Sequence, residues 1–191
     1  MSSEPRADRP AYRPATIAVT SGRPAHEPDS PLNEPLTMAS TYVAGGDVEY
    51  GRYGNPTWAA FETALGDLEG GRCLAFASGL AAVSTILDLV GQGAKVVAPR
   101  HAYLGSIGQI ADLEARGRIT AELVDITDTD AVLKACADAA LVWLESPTNP
   151  ALEVAVIAPI VEAVHAVVEG EMTAGDMLTA LISKEAKHER D

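Results

Sequence analysis

The sequence predicts an α/β protein built on a largely parallel sheet. Three observations predict it. Short apolar runs of strand length alternate with helical stretches of ten or so residues between residues 58 and 145. Hydrophobic residues make up 47% of the 191-residue chain and charged residues 21%, a composition that can fill a core. The strand-like runs are too short and the apolar stretches too often interrupted, by Asp88, Glu153 or Glu162, for the roughly 20 apolar residues of a membrane span.

The elements follow in order. Seven prolines punctuate the first 35 residues, and each lacks a donor N–H and fixes φ. Residues 1–56 therefore read as an extended arm without a regular element, ordered only against a partner. Trp58 through Leu68 has helical apolar spacing, stopped by Gly70-Gly71. Cys73–Phe76 reads as a first strand and Gly79–Val90 as a helix. Ala94–Ala98, ended by Pro99, is a second strand; 103–115 is a helix and Ile119–Val124 a third strand. Thr127–Ala137 is a helix with Thr127 as N-cap and Asp130 three residues on. Ala140–Glu145 is a fourth strand. The rhythm breaks near Val156. Ile160, Val161, Val164, Val167 and Val168 fall on one helical face after Pro159, and a second helix starts near Thr173–Asp176. The expected organisation is an arm (1–56), an α/β region (57–157) and a helical tail (158–191).

Charge and side-chain chemistry narrow the function. The net charge of −13 leaves no basic footprint for nucleic acid. No signal-peptide pattern opens the chain, and a cytoplasmic location is expected. Cys73 and Cys136 are far apart and fit no metal or disulfide spacing, and Cys73 reads as a small core residue. His26, His165 and His188 share no ligand spacing, so no metal site is expected. His101 reads either as a general base or as an exposed loop histidine.

Four segments carry candidate chemistry. Glu49–Thr57 sets Tyr50 and Arg52 two residues apart in a glycine-rich stretch. In extended chain both point one way and can grip one anion; a plain surface loop is the alternative. Phe76–Ala82 places Ser78 and Gly79 where a strand meets a helix. There the free N–H groups of a helix N-terminus attract anions, or Ser78 simply caps its own helix. Tyr103 lies beyond the carboxyl end of a strand, where ligands of open α/β sheets bind. Its ring can stack on a flat heterocycle or pack on its own helix. Glu145–Pro150 follows another strand end. Two prolines stiffen it, and the Asn149 amide can donate and accept; a rigid turn is the alternative.

Together and in this order, Y-x-R-x-x-N-P-T (50–57), A-S-G-L-A-A (77–82), Tyr103-x-Gly105 and E-S-P-T-N-P (145–150) resemble the cystathionine γ-synthase, γ-lyase and β-lyase family. These are pyridoxal-phosphate enzymes of Cys and Met metabolism. The resemblance spans about residues 15–155. It implies part of the large domain of a fold type I pyridoxal-phosphate-dependent transferase, and chemistry at the γ- or β-carbon of a sulfur amino acid. It implies that Tyr50 and Arg52 grip the cofactor phosphate of a neighbouring subunit, so that a homo- or hetero-oligomer forms through this arm. Ser78, with the backbone of Gly79 and Leu80, binds phosphate within the subunit. Tyr103 stacks on the pyridine ring. Asn149 bonds the ring hydroxyl, and Glu145 supports that loop. Leu104 departs from the pattern, which usually has Gly there.

The family's cofactor-binding lysine lies in an S-x-T-K context. None of Lys95, Lys134, Lys184 and Lys187 does, so no catalytic residue is assigned. The expectation is a truncated chain, inactive alone. It could instead be a non-catalytic partner that completes the site of a full-length subunit, or an unstable gene fragment. Residues 159–189 also resemble the C-terminal helices of NAD-dependent glycerol-3-phosphate dehydrogenases. No G-x-G-x-x-G follows a strand, so dehydrogenase activity is not inferred.

Overall fold

A computed structural model describes residues 12–168. The chain divides into two compact units between Ala77 and Ser78. The expected second helix of the tail and the segment from residue 169 onward, with Lys184, Lys187 and His188, lie outside the described residues.

The first unit begins with a correction. Helix α1 occupies Pro14–Thr20 inside the expected extended arm. Pro14 stands at the helix start, where its missing N–H and fixed φ are no hindrance, and the next proline comes only at Pro24. Helix α2 (Pro56–Glu69) opens on the same device. Asn55 is its N-cap, with Oδ1 accepting from the Thr57 N–H at 2.9 Å. Gly70, at φ +70°, ends it as the glycine pair predicts.

The arm is tied to α2 rather than trailing from it. The Asn55 amide donates to the Thr37 carbonyl at 3.0 Å, the Thr37 N–H donates to Thr57 Oγ1 at 2.8 Å, and that hydroxyl donates to the Pro35 carbonyl at 3.2 Å. Ser21 hydrogen-bonds Asp67, and α1 packs on α2. These ties explain why α2 groups with the arm and not with the sheet, as the expected boundary at residue 56 had it.

Cys73–Phe76 is not a strand. Leu74 is 64% exposed and Phe76 42%, and Cys73 is half-buried. An apolar run becomes a strand only where another backbone lies beside it, and among the described residues none does.

The second unit is a three-stranded parallel sheet between two helical layers. Helix α3 (Gly79–Asp88) leads to β1 (Ala94–Pro99). Then come α4 (Leu104–Ala115), β2 (Ile119–Val124), α5 (Thr129–Cys136), β3 (Leu141–Val142) and α6 (Ile157–Val168). The strand order is β2-β1-β3. β1 pairs with β2 from Ala94↔Ile119 to Pro99↔Val124, and with β3 at Val96↔Leu141 and Val97↔Val142.

β1 is central and alternates between two cores, as strand geometry requires. Val96 and Ala98 join Val83, Leu87 and Ile110 of α3 and α4. Val97 joins Val132, Cys136 and Ile160 of α5 and α6. The predicted strand at 140–145 is thus shorter than expected, because only two of its residues pair. The α5 N-cap is Asp128, which accepts from the Ala131 N–H at 3.0 Å, not Thr127, whose hydroxyl and N–H bond Asp125. On α6, Ile160 is buried but Val161 is 54% exposed, so the apolar face is narrower than the sequence pattern.

Lys95 links β1 to Glu122 on β2 at 2.7 Å and to Asp138, before β3, at 2.6 Å. Hydrogen bonds to Asp138 and Glu122 raise the Lys95 pKa. The bond from Lys95 lowers that of the largely exposed Asp138, more than its slight loss of hydration raises it. A lowered carboxylate contributes stability that is present above its unfolded pKa and lost as pH falls through its folded one. A raised lysine contributes below about pH 10.4 and loses it above its folded pKa. Lys95→Met, which keeps the apolar stem, is expected to flatten the acid limb of stability below about pH 5. Urea titrations across that range check it; an unchanged acid slope would show that the triad contributes nothing.

Candidate functional site

The strand order reverses at β1. The β1–α4–β2 crossover places its helix on one face of the sheet, and the α5 crossover to β3 uses the other. The carboxyl ends of β1 and β3 mark the switch point, where open α/β sheets bind ligands. The loops there carry Tyr103 and Glu145–Asn149.

These loops are joined. The Glu145 carboxylate accepts the Tyr103 backbone N–H with both oxygens, at 3.1 and 3.0 Å. Tyr103 precedes the first turn of α4, and its ring lies over Gly105. A Cβ on Gly105 would stand 2.5 Å from Tyr103 Cε1, 3.0 Å from Cζ and 3.1 Å from Leu80 Cδ1. Gly105 therefore seats the ring beside the first turn of α3. The Tyr103 side chain remains half exposed. Leu104, the departure from the family pattern, is 80% exposed, so it adds a side chain to solvent and not to the seat.

Ser78 caps α3: its Oγ accepts from the Ala81 N–H at 3.2 Å. The capping role and an open N-terminus coexist. Among the described residues the N–H groups of Gly79 and Leu80 have no partner, and nothing lies within 4 Å of a Cβ placed on Gly79. Two donors without a partner and a helix dipole meet at this helix start, an arrangement suited to an anion. Asn149 is exposed, and its amide makes no hydrogen bond among the described residues. Its neighbour Thr148 is fully buried and fixes the loop.

Tyr50 and Arg52 stand in the first unit. The Tyr50–Tyr53 segment is a turn, closed by Tyr53 N–H to the Tyr50 carbonyl at 2.8 Å, not extended chain. The two side chains meet all the same. Arg52 Nη2 donates to the Tyr50 hydroxyl at 3.1 Å, and its Cζ lies 4.9 Å from the Tyr50 ring centroid. The turn is held by the Thr41↔Tyr50 bridge and by Gly51 N–H to the Ser40 carbonyl at 2.7 Å. Arg52 is exposed and has no carboxylate partner among the described residues.

Sequence reasoning missed Glu153 and understated His101. Glu153 accepts from His101 Nδ1 at 3.1 and 3.2 Å and from the Thr148 hydroxyl at 3.1 Å. The signal was present, since Glu153 is the single acid in the apolar run Leu152–Ile157. Among the described residues no cluster of His, Cys, Asp and Glu could hold a metal, and no helix is long and apolar enough to cross a membrane.

Known proteins first define the class. A cystathionine gamma-lyase structure from Micromonospora echinospora matches with a TM-score of 0.67 and 35% identity, over 81% of this chain and 42% of that one. The sheet and helices are thus part of a fold type I, pyridoxal-phosphate-dependent α/β domain. The family model for Cys/Met metabolism PLP-dependent enzymes matches residues 15–190, and the chain belongs to that family. That match runs well past residue 155.

A putative cystathionine gamma-lyase of Streptomyces coelicolor is 39% identical over 79% of the chain and 41% of its own length. A cystathionine gamma-lyase of Dictyostelium discoideum is 32% identical over 81% of the chain and 42% of its own length. The chain therefore spans about two-fifths of the length of the curated relatives it matches. The family's cofactor is pyridoxal 5'-phosphate.

Proposed function

We propose that the second unit, from Ser78 to about residue 155, forms the phosphate- and ring-binding part of a pyridoxal-phosphate site, in a protein acting at the γ- or β-carbon of a sulfur amino acid. The observation that carries this reading is the grouping of Tyr103, Gly105 and Leu80 beside the open N-terminus of α3, at the sheet's switch point. Those residues fit the cofactor. Gly79 and Leu80 N–H groups and the α3 dipole suit a phosphate dianion, with Ser78 beside them holding the helix start. Tyr103, seated on Gly105, offers an aromatic surface to the pyridine ring. Asn149 offers an amide to the ring hydroxyl. Glu145 holds the Tyr103 loop to the Asn149 loop. When bound, pyridoxal phosphate supplies the electron sink for carbanion chemistry. The residues named here bind and orient it and move no proton. Lyase and synthase names both occur among the relatives, and both fit the arrangement.

The 191-residue polypeptide is expected to bind the cofactor without turning over cystathionine, homocysteine or cysteine, because no lysine in it has the family's S-x-T-K setting. Borohydride reduction at limiting pyridoxal phosphate, followed by peptide mapping, tests this. Scattered trace adducts are expected. One stoichiometric adduct on a single lysine, with turnover, would overturn it.

A second reading is favoured by Arg52. Its exposed guanidinium, braced on Tyr50 and without a carboxylate partner among the described residues, suits a phosphate supplied by another subunit. On that reading the chain completes the site of a longer relative. Arg52→Ala is expected to abolish co-purification with a full-length cystathionine gamma-lyase or to lower that partner's cofactor affinity. A chain that never associates with such a partner would dismiss the idea.

A further inference from the structure

Behind the Tyr103 and Asn149 loops lies a charged group that the cofactor reading does not use. Arg100 and His101 follow β1, Asp125 follows β2, and Thr148 and Glu153 follow β3. Asp125 accepts from Arg100 Nη2 at 2.6 Å, from the Thr127 hydroxyl at 2.7 Å and from the Thr127 N–H at 3.0 Å. Glu153 sits at the centre. Its carboxylate accepts from His101 Nδ1 at 3.1 and 3.2 Å and from the Thr148 hydroxyl at 3.1 Å, with Arg100 Nη2 at 3.6 Å. A carboxylate can only accept here, so His101 carries its proton on Nδ1. The Glu153 backbone closes the loop: its N–H donates to Thr148 Oγ1 at 3.0 Å, and its carbonyl accepts from the Thr148 N–H at 2.9 Å. The Thr148 hydroxyl thus donates once and accepts once.

Exposed ion pairs contribute little to stability, and His101 and Arg100 are half exposed here, so the hold rests on the more covered carboxylate and on Thr148. The Glu153 side chain is 18% exposed and Thr148 is fully buried. Partial burial alone would raise its pKa. Hydrogen bonds from His101 and Thr148, and the charges of His101 and Arg100, outweigh that and hold it below the usual carboxylate range. The partners are placed as a positioning device requires. His101 is two residues before Tyr103, and Thr148 is immediately before Asn149.

We propose that Glu153 is a positioning residue whose carboxylate clasps the Tyr103 loop to the Asn149 loop, so that the two loops are ordered before the cofactor binds. The proposal rests on the reading of Tyr103 and Asn149 as cofactor-binding groups. Glu153 acts through His101 and Thr148. Together with the Glu145 bond to the Tyr103 N–H, it gives the two loops two points of attachment. Loops fixed in advance need not be ordered on binding, and that saving appears as affinity.

The test uses the full chain with Glu153→Ala and Glu153→Gln. Amide hydrogen exchange is read residue by residue, and affinity is measured with 4'-deoxypyridoxine 5'-phosphate, which has no aldehyde to label lysines. In Glu153→Ala the Tyr103 and Thr148 amides are expected to exchange about tenfold faster while those of β1 and β2 keep their protection. Affinity for the probe is expected to fall roughly three- to tenfold, the scale of one or two lost hydrogen bonds. Glu153→Gln keeps the shape and the backbone bonds, and should fall between. Unchanged exchange at Tyr103 would overturn the clasp. Faster exchange throughout β1 and β2 would overturn it too, because Glu153 would then merely hold the fold. Faster loop exchange with unchanged affinity would overturn the positioning role. If no variant and not even the parent chain binds the probe, yet the loop amides respond as expected, the clasp stands and the cofactor reading falls.

Discussion

Gly105→Ala is expected to weaken the binding of 4'-deoxypyridoxine 5'-phosphate about tenfold while leaving the second unit as stable as before, or more so. The two effects have opposite signs because they have different origins. Gly105 lies in the first turn of α4, and its backbone is not in the left-handed region. Alanine there raises helix propensity by up to about 1 kcal/mol. The new methyl, however, would stand 2.5 Å from Tyr103 Cε1 and 3.1 Å from Leu80 Cδ1. The first distance cannot stand between carbons, and the second asks Leu80 to give by a few tenths of an ångström. The Tyr103 ring is half exposed and free to swing away, so the chain yields there and not in the backbone. A stacked aromatic contributes about 0.5–1.5 kcal/mol, and its displacement accounts for a loss near tenfold. Calorimetric titration and thermal unfolding, run side by side, read both effects. Unaltered affinity would show that the ring does not need its seat.

Gly22→Ala should produce the largest loss of stability, at least about 2 kcal/mol in the first unit. Gly22 follows α1 with φ at +71°, a region that costs a residue with a Cβ about 1–2 kcal/mol. Its Cβ would also collide with the Ala60 carbonyl oxygen and stand 3.2 Å from Ala64 Cβ. Both obstacles belong to the rigid middle of α2, so neither can turn aside. The expected result is that α1 leaves α2, with faster amide exchange along α2. Exchange in β1 and β2, in the other unit, should not change. Parent-like protection along α2 would show that the close approach is not required.

Much of the second unit was legible because its signals are local. β2 occupies Ile119–Val124 as read, α4 differs from its expected start by one residue, and the glycine pair at 70–71 ends α2 where predicted. Capping residues, prolines and apolar spacing act over a few residues, so sequence displays them directly. The failures share a cause as well. Cys73–Phe76 has strand composition but no backbone to pair with among the described residues, and 140–145 pairs over only two residues. A strand needs a partner that composition cannot name. Helix α1 forms inside the proline-rich arm because the interval from Pro14 to Pro24 holds no other proline and is long enough for two turns.

The candidate site divides along the same line. The order of its motifs was enough to reach the family, since each residue type sits beside a strand or helix end that periodicity reveals. Sequence by itself determined the βα alternation, the membership of the Cys/Met metabolism family and which segments carry Tyr50, Arg52, Ser78, Tyr103 and Asn149. Only the tertiary structure decided that Gly105 seats Tyr103 beside Leu80, that Glu145 grips the Tyr103 N–H, and that Glu153 joins His101 to Thr148. Those partners are 42 and 52 residues apart in the two carboxylate contacts to the Tyr103 loop. The distance between them in space is set by the pairing of β3 beside β1, a choice made by burial of the whole sheet and not by any neighbouring residue.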